Sequence, residues 1–136
     1  MYELGEILKL HPGALPAADS GIIGFDNDSV VFVDARKYER FLGIGICGTI
    51  TNTKIMTVTL LQATSAAGAG AKALGTAGTF TATATVTDGV AVADARAEEL
   101  DTAGGFYFVG VRLEIDEANK ALASCVAFGM AKQSPV

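Results

Sequence analysis

Tryptophan is absent from this sequence, histidine occurs once, cysteine twice, and only 18% of the residues are charged. Each scarcity removes a class of explanation. His11 has neither a G-x-S-x-G motif nor a cysteine pair at ligand spacing to work with, so the sequence offers no Ser-His-Asp triad and no zinc site. With three tyrosines and no tryptophan, the aromatic platforms on which sugars usually stack are scarce. Long apolar runs are missing too: no window reaches the roughly eighteen uninterrupted apolar residues of a membrane span. The first residues, MYELGEILKL, place Glu3 and Glu6 where an export signal has positive charge, and Lys9 and His11-Pro12-Gly13 break the apolar run, so no export signal is expected. A net charge of −5 and a pI of about 4.7 argue against phosphate backbones as the ligand.

What is present is apolar. Half of the 136 residues are hydrophobic and the mean hydropathy is +0.39. A chain of this length folds as one domain with a core of its own. A soluble domain this poor in charge is expected to hide part of its outer surface against partner subunits.

The organising stretch is Tyr38 to Gln62, YERFLGIGICGTITNTKIMTVTLLQ. Leu42, Ile44 and Ile46 recur at period two, as do Met56, Val58 and Leu60, and the polar Thr49-to-Thr53 connection suits a hairpin. Opposite Leu42, Ile44 and Ile46 stand Phe41, Gly43, Gly45 and Cys47, a face almost without bulk after the phenylalanine. Something must approach that face closely. Residues 1 to 29 mix short apolar pieces with turn formers and read as an arm carrying one or two short strands, over Gly5 to Leu10 and Gly21 to Phe25. The Ala/Gly run ATSAAGAGAKALGTAG after Gln62 lacks apolar periodicity and predicts a flexible loop.

Further on, Thr79 to Thr87 alternates Phe80, Ala82, Ala84 and Val86 with five threonines, a half-buried strand. Val90 to Leu100 predicts a strand end and a short helix with Asp94 as N-cap. Ala103 to Ile115 places Tyr107, Val109, Val111, Leu113 and Ile115 on one face, and Lys120 to Met130 turns Leu122, Val126, Phe128 and Met130 inward as the second strand of another hairpin. About seven or eight short strands with at most one short helix predict an all-β fold: an antiparallel β-sandwich, jelly-roll or Greek-key, over residues 30 to 136, with an extended N-terminal arm over 1 to 29.

Several motifs are weaker than they look. Gly43, Gly45 and Gly48 match G-x-G-x-x-G, but Thr49-Ile50-Thr51-Asn52-Thr53 follows instead of a helix, so glycines thinning a strand explain them better than a dinucleotide. Asp26-Asn27-Asp28-Ser29 opens like a calcium loop, yet Val31 stands at the glycine position and Lys37 at the final acid. The acid pairs Glu98-Glu99 and Asp116-Glu117 fit solvated turns. Cys47 and Cys125 each lie on a small-residue face. They are two small buried hydrophobes, unless their strands neighbour each other and the thiols meet, or each meets a partner chain.

Val33-Asp34-Ala35-Arg36-Lys37-Tyr38-Glu39-Arg40, the strand ending Gly48-Thr49-Ile50-Thr51, and Met56-Thr57-Val58-Thr59-Leu60-Leu61-Gln62 resemble small structural proteins from the head gene clusters of tailed bacteriophages. The similarity resumes at Gly105-Phe106-Tyr107-Phe108-Val109-Gly110-Val111-Arg112-Leu113 and at Ala123-Ser124-Cys125-Val126-Ala127-Phe128-Gly129, covering about residues 30 to 130. The Ala/Gly run departs from that group, where a polar, Asp- and Ser-rich connection is expected. The resemblance implies a capsid decoration or cement protein, made in the host cytoplasm and carried on the capsid exterior. Its expected partners are the major capsid protein and copies of itself, as a dimer or trimer, with neither nucleic acid nor membrane, and no cofactor, metal or catalytic residue is expected. The candidate partner contacts are Tyr2, Leu4, Ile7 and Leu8 of the arm and Gly43, Gly45 and Cys47 of the thin strand face. A tail or head-tail connector protein, or a carbohydrate- or receptor-binding sandwich using Thr81, Thr83 and Thr85, are the competing readings.

Overall fold

Two antiparallel sheets face each other in a computed structural model of the chain, which describes residues 8–17, 22–23, 30–86, 89–117 and 122–130. Ten strands occur among these residues: β1 (Leu8–Ala17), β2 (Ile22–Ile23), β3 (Val33–Asp34), β4 (Tyr38–Cys47), β5 (Ile55–Ala63), β6 (Lys72–Ala73), β7 (Gly78–Thr81), β8 (Gly89–Arg96), β9 (Phe108–Ile115) and β10 (Leu122–Met130). Sheet A runs β1-β10-β4-β8 and sheet B runs β2-β9-β5-β6, with β3 also on β9 and β7 also on β5. Because β2 and β3 share one edge of β9, and β6 and β7 one edge of β5, each sheet has four strand positions. Numbered along the chain these positions read 1-8-3-6 and 2-7-4-5, the jelly-roll order of two interleaved Greek keys. No α-helix is found among the described residues. Two single 3-10 turns, Ala97–Glu99 and Thr102–Gly104, link β8 to β9.

Both expected hairpins are corrected by this topology. β4 lies in sheet A and β5 in sheet B, and β9 and β10 are likewise split between the sheets. Period-two alternation fixes which face of a strand is buried but not which sheet the strand joins. The 48–54 connection crosses at a corner of the sandwich: Ile50 is fully buried and bridges Val86, and the Thr53 N–H donates to the Ala82 carbonyl at 2.8 Å. The segment after β9 holds it in place, the Asp116 carboxylate accepting from the Ile55 N–H at 2.8 Å and that of Glu117 from the Thr51 N–H at 2.9 Å.

The core is asymmetric. Sheet B contributes large side chains, Met56, Val58 and Leu60 from β5 and Val109, Val111, Leu113 and Ile115 from β9. Sheet A answers with small ones along β4 and β8, where Gly43, Gly45, Ala91, Ala93 and Ala95 face inward, and adds bulk through Phe41, Val126 and Phe128. The ring of Phe128 meets that of Phe41 edge-on at 5.6 Å. A Cβ on Gly45 would stand 2.4 Å from Leu113 Cδ1, and one on Gly43 would stand 3.0 Å from Val111 Cγ2. Whole methyl groups of sheet B therefore occupy the room these glycines leave.

Other expectations are adjusted. Asp94 sits within β8, which stays extended to Arg96, so it caps no helix; the Glu99 carboxylate accepts from the Arg96 N–H at 2.6 Å instead. The strand expected over Thr79 to Thr87 shortens to β7 and a bridge at Val86. The Ala/Gly run is folded rather than loose. The Gly68 N–H donates to the Ser65 carbonyl and the Leu74 N–H to that of Leu60, with Gly68 in the left-handed region at φ 84° and Leu74 buried. Of residues 1 to 29, the described parts are paired within the two sheets, β1 along β10 and β2 along β9. β1 runs through Pro12-Gly13 with a register shift, where a turn was expected.

Candidate protein-binding face

Four of the five exposed large hydrophobic side chains among the described residues, Leu42, Ile46, Val90 and Val92, stand on the outer face of sheet A. On β4 the outward positions are Arg40, Leu42, Ile44 and Ile46; on β8 they are Val90, Val92, Asp94 and Arg96. The register pairs them row by row: Arg40 with Arg96, Leu42 with Asp94, Ile44 with Val92 and Ile46 with Val90. Leu42 is 37% exposed, Ile46 46%, and Val90 and Val92 52% each. On the other side of β4 the rows continue into β10, where Gly129, Ala127 and Cys125 stand beside Arg40, Leu42 and Ile44. Leu8, Leu10 and Pro12 of β1 hold the matching register positions.

A sandwich strand normally alternates apolar inside with polar outside. Here β4 and β8 carry apolar residues on both faces, the composition of strands buried on both sides. Sheet B solves the same problem within the chain. Val30 and Phe32 lie over its outer side and, with Leu61, Ala63 and Phe108, form a second small core. A Cβ on Gly110 would meet Val30 Cγ1 at 2.5 Å, so that glycine lets the covering segment sit down on β9. Sheet A has no such cover among the described residues.

The face has relief. Branched side chains of β4 and β8 form a ridge, while Gly129 and Ala127 of β10, Ala127 only 5% exposed, floor a trough beside it, bordered by Leu42 and Ile44 with Arg40 and Asp94 at hand. Among the described outward positions the charges are Arg40 and Arg96 at one end and Asp94 beside Leu42. Burial pushes the Cys125 thiol above its ordinary pKa, keeping it protonated and poorly nucleophilic.

The proposed contacts divide. Gly43, Gly45 and Cys47 point into the sandwich, and Cys47 is 2% exposed, so Val111 and Leu113 of the same chain are what approach the thin face, not a partner. Tyr2, Leu4 and Ile7 lie outside the described residues; Leu8 begins β1 at the edge of sheet A, paired with Gly129. The two cysteines stand on opposite faces of sheet A, Cys47 inward and Cys125 beside outward Ile44, and neither is in a disulfide. The surface sequence reasoning missed is the Leu42-Ile44-Ile46 row itself. Its signal was present: an apolar row backed by glycines cannot both be inside.

Among the described residues no three His, Cys, Asp or Glu side chains gather to hold a metal ion, and no helix there is long and apolar enough to cross a membrane. Glu99, Asp116 and Glu117 hold backbone N–H groups, as described above. Asp34 is forked by the Arg36 guanidinium at 2.5 to 3.1 Å, which holds its pKa below the usual carboxylate range.

No family model and no curated protein matches the chain. Among solved structures it is similar to the Eiger TNF from S. frugiperda, 9% identical with 95% of each chain covered and a TM-score of 0.46. It is also similar to the tobacco streak virus coat protein, 11% identical over all of this chain and 94% of that one, with a TM-score of 0.35. Likenesses this distant assign no family. On the strand order and pairing in its own sheets, the chain is an antiparallel jelly-roll β-sandwich.

Proposed function

We propose that this chain is an architectural protein of a tailed-phage virion, attached to the outer surface of the assembled head and bridging coat subunits there. The apolar outer face of sheet A, uncovered among the described residues, carries the reading, because it suits a molecule built to be covered by protein over a broad surface rather than to enclose a small ligand. The phage assignment draws on the resemblance, whose last two motifs supply β9 and β10, the strands that pair with β5 and β4 of the Tyr38-to-Gln62 stretch. Catalysis and cofactors have no part in it.

The physics of such a role is mass action. A protein that binds the assembled, matured lattice and not the free coat subunit stabilises the lattice by RT ln(1 + [L]/Kd), and many copies act together. Contact with the major capsid protein is assigned to the N-terminal residues Tyr2, Leu4 and Ile7, ahead of the sheet edge at Leu8. The acidic balance of the chain suits a protein that sits outside the shell, away from the packaged nucleic acid.

Purified chain mixed with matured capsids lacking it, then sedimented, tests the proposal. Saturable uptake at a fixed small number of copies per coat subunit is expected. Folded protein that stays in the supernatant at every ratio would refute attachment to the head.

A further inference from the structure

We infer that the outer face of sheet A is where one copy of this chain packs on another, as a two-fold pair. The inference rests on reading that face as protein-binding and names its occupant; it needs no capsid.

Shape is the first argument. The β4 ridge of Leu42, Ile44 and Ile46 and the β10 row of Cys125 with the trough residues Ala127 and Gly129 are neighbours in one sheet. A two-fold axis running along the strands between β4 and β10 lays the ridge of each copy over the trough of the other. Leu42 then meets Ala127 and Ile44 meets Cys125, twice over, which is the self-complementarity an isologous contact requires. Two sheets stacked this way approach at the ordinary separation of about 10 Å.

Charge is the second. The chain carries −5 overall, yet the described outward positions of sheet A hold two arginines and one aspartate. Copies can therefore meet here without opposing carboxylates. The same axis sets Arg40 over Gly129, so the arginines at the end of the face are not stacked on one another.

Area is the third. Four strands about 4.8 Å apart and eight residues long at about 3.4 Å each give a flat footprint of roughly 500 Å². Side-chain relief raises its accessible surface toward the roughly 800 Å² that a standard interface takes from each partner.

Sedimentation equilibrium of the full chain between about 1 and 100 µM tests this. Wild type is expected to approach twice its 13.9 kDa. Ile46→Lys with Val92→Lys should remain monomeric across the range with an unchanged far-UV spectrum, its dissociation constant raised at least about 100-fold, while Thr81→Lys, an exposed change on sheet B, should associate like wild type. Should the lysine pair fail to fold, Ile46→Thr with Val92→Thr keeps strand-forming residues and is expected to weaken association in the same direction. Wild type that is monomeric at the highest concentration, or a folded double variant that associates as tightly as wild type, would overturn the inference. A monomer that still saturates capsids leaves the head-surface reading standing; a dimer that never binds them refutes that reading and not this one.

Discussion

Replacing Gly45 by alanine adds one methyl group and decides which way the thin face of β4 points. The added Cβ would lie 2.4 Å from Leu113 Cδ1, and Leu113 is fully buried. Leu113 must leave its rotamer or the sheets must part locally, and overpacking of this kind costs about 1–3 kcal/mol. At about 2.1 cal/mol/K of unfolding entropy per residue, a 136-residue chain loses about 3.5 °C of Tm per kcal/mol, so a fall of roughly 4–10 °C is expected. Leu113→Ala alone leaves a cavity costing about 2–5 kcal/mol. The pair Gly45→Ala/Leu113→Ala should cost less than the two single changes added, by at least about 0.5 kcal/mol, because the new methyl refills part of the space the leucine vacates. Thermal and urea unfolding of the four proteins at dilute concentration measures this. If Gly45→Ala is neutral or stabilising, as an outward strand glycine would be, or if the costs simply add, the inward packing of β4 is wrong.

Gly78→Ala should be more damaging than Gly45→Ala, since its Cβ would fall 1.7 Å from the Val92 carbonyl oxygen, a backbone atom that no rotamer change can move; comparison of the two Tm values checks it. Of the two thiols, Cys125 should alkylate slowly in the dilute native protein and more slowly still when concentration covers the outer face of sheet A, and Cys47 only on unfolding; mass spectrometry after oxidation should find no bond between them within one chain, because they occupy opposite faces of sheet A. The Lys72 ammonium 2.7 Å from Asp101 holds that carboxyl below the usual range near 4. A depressed acid contributes stability that is present above its unfolded pKa and lost as pH falls through the folded one. Lys72→Met should thus raise the Asp101 pKa in a carboxyl NMR titration and flatten the acid limb of stability below about pH 4; an unmoved titration would show that the ion pair is not what holds it down.

How far the sequence could be read depended on what kind of information each residue carried. Val109, Val111 and Leu113, Met56, Val58 and Leu60, and Val126 with Phe128 were legible as inward faces because alternation is a local property of the strand. The pairing was not legible: the 48–54 connection looks like a hairpin turn in one dimension, and only the burial of Ile50 against Val86 shows it to be a corner between sheets. The Ala/Gly run looked flexible because its order comes from scattered pieces, with Leu74 buried and Lys72 set over the Phe106 ring at 4.1 Å. For the candidate face, the glycines drew the eye to the wrong side. Gly43 and Gly45 do mark a close approach, but by Val111 and Leu113 from within, and this turns the larger Leu42, Ile44 and Ile46 toward solvent.

The central claim is that protein covers the outer face of sheet A, and hydroxyl-radical footprinting reads it residue by residue. The wild-type chain should be oxidised at Leu42, Ile46, Val90 and Val92 when dilute, and these four side chains should become protected together when it is concentrated, while exposed Ile55 on sheet B stays reactive. Equal oxidation of the four at every concentration and on capsids, with protection appearing elsewhere, would contradict the account.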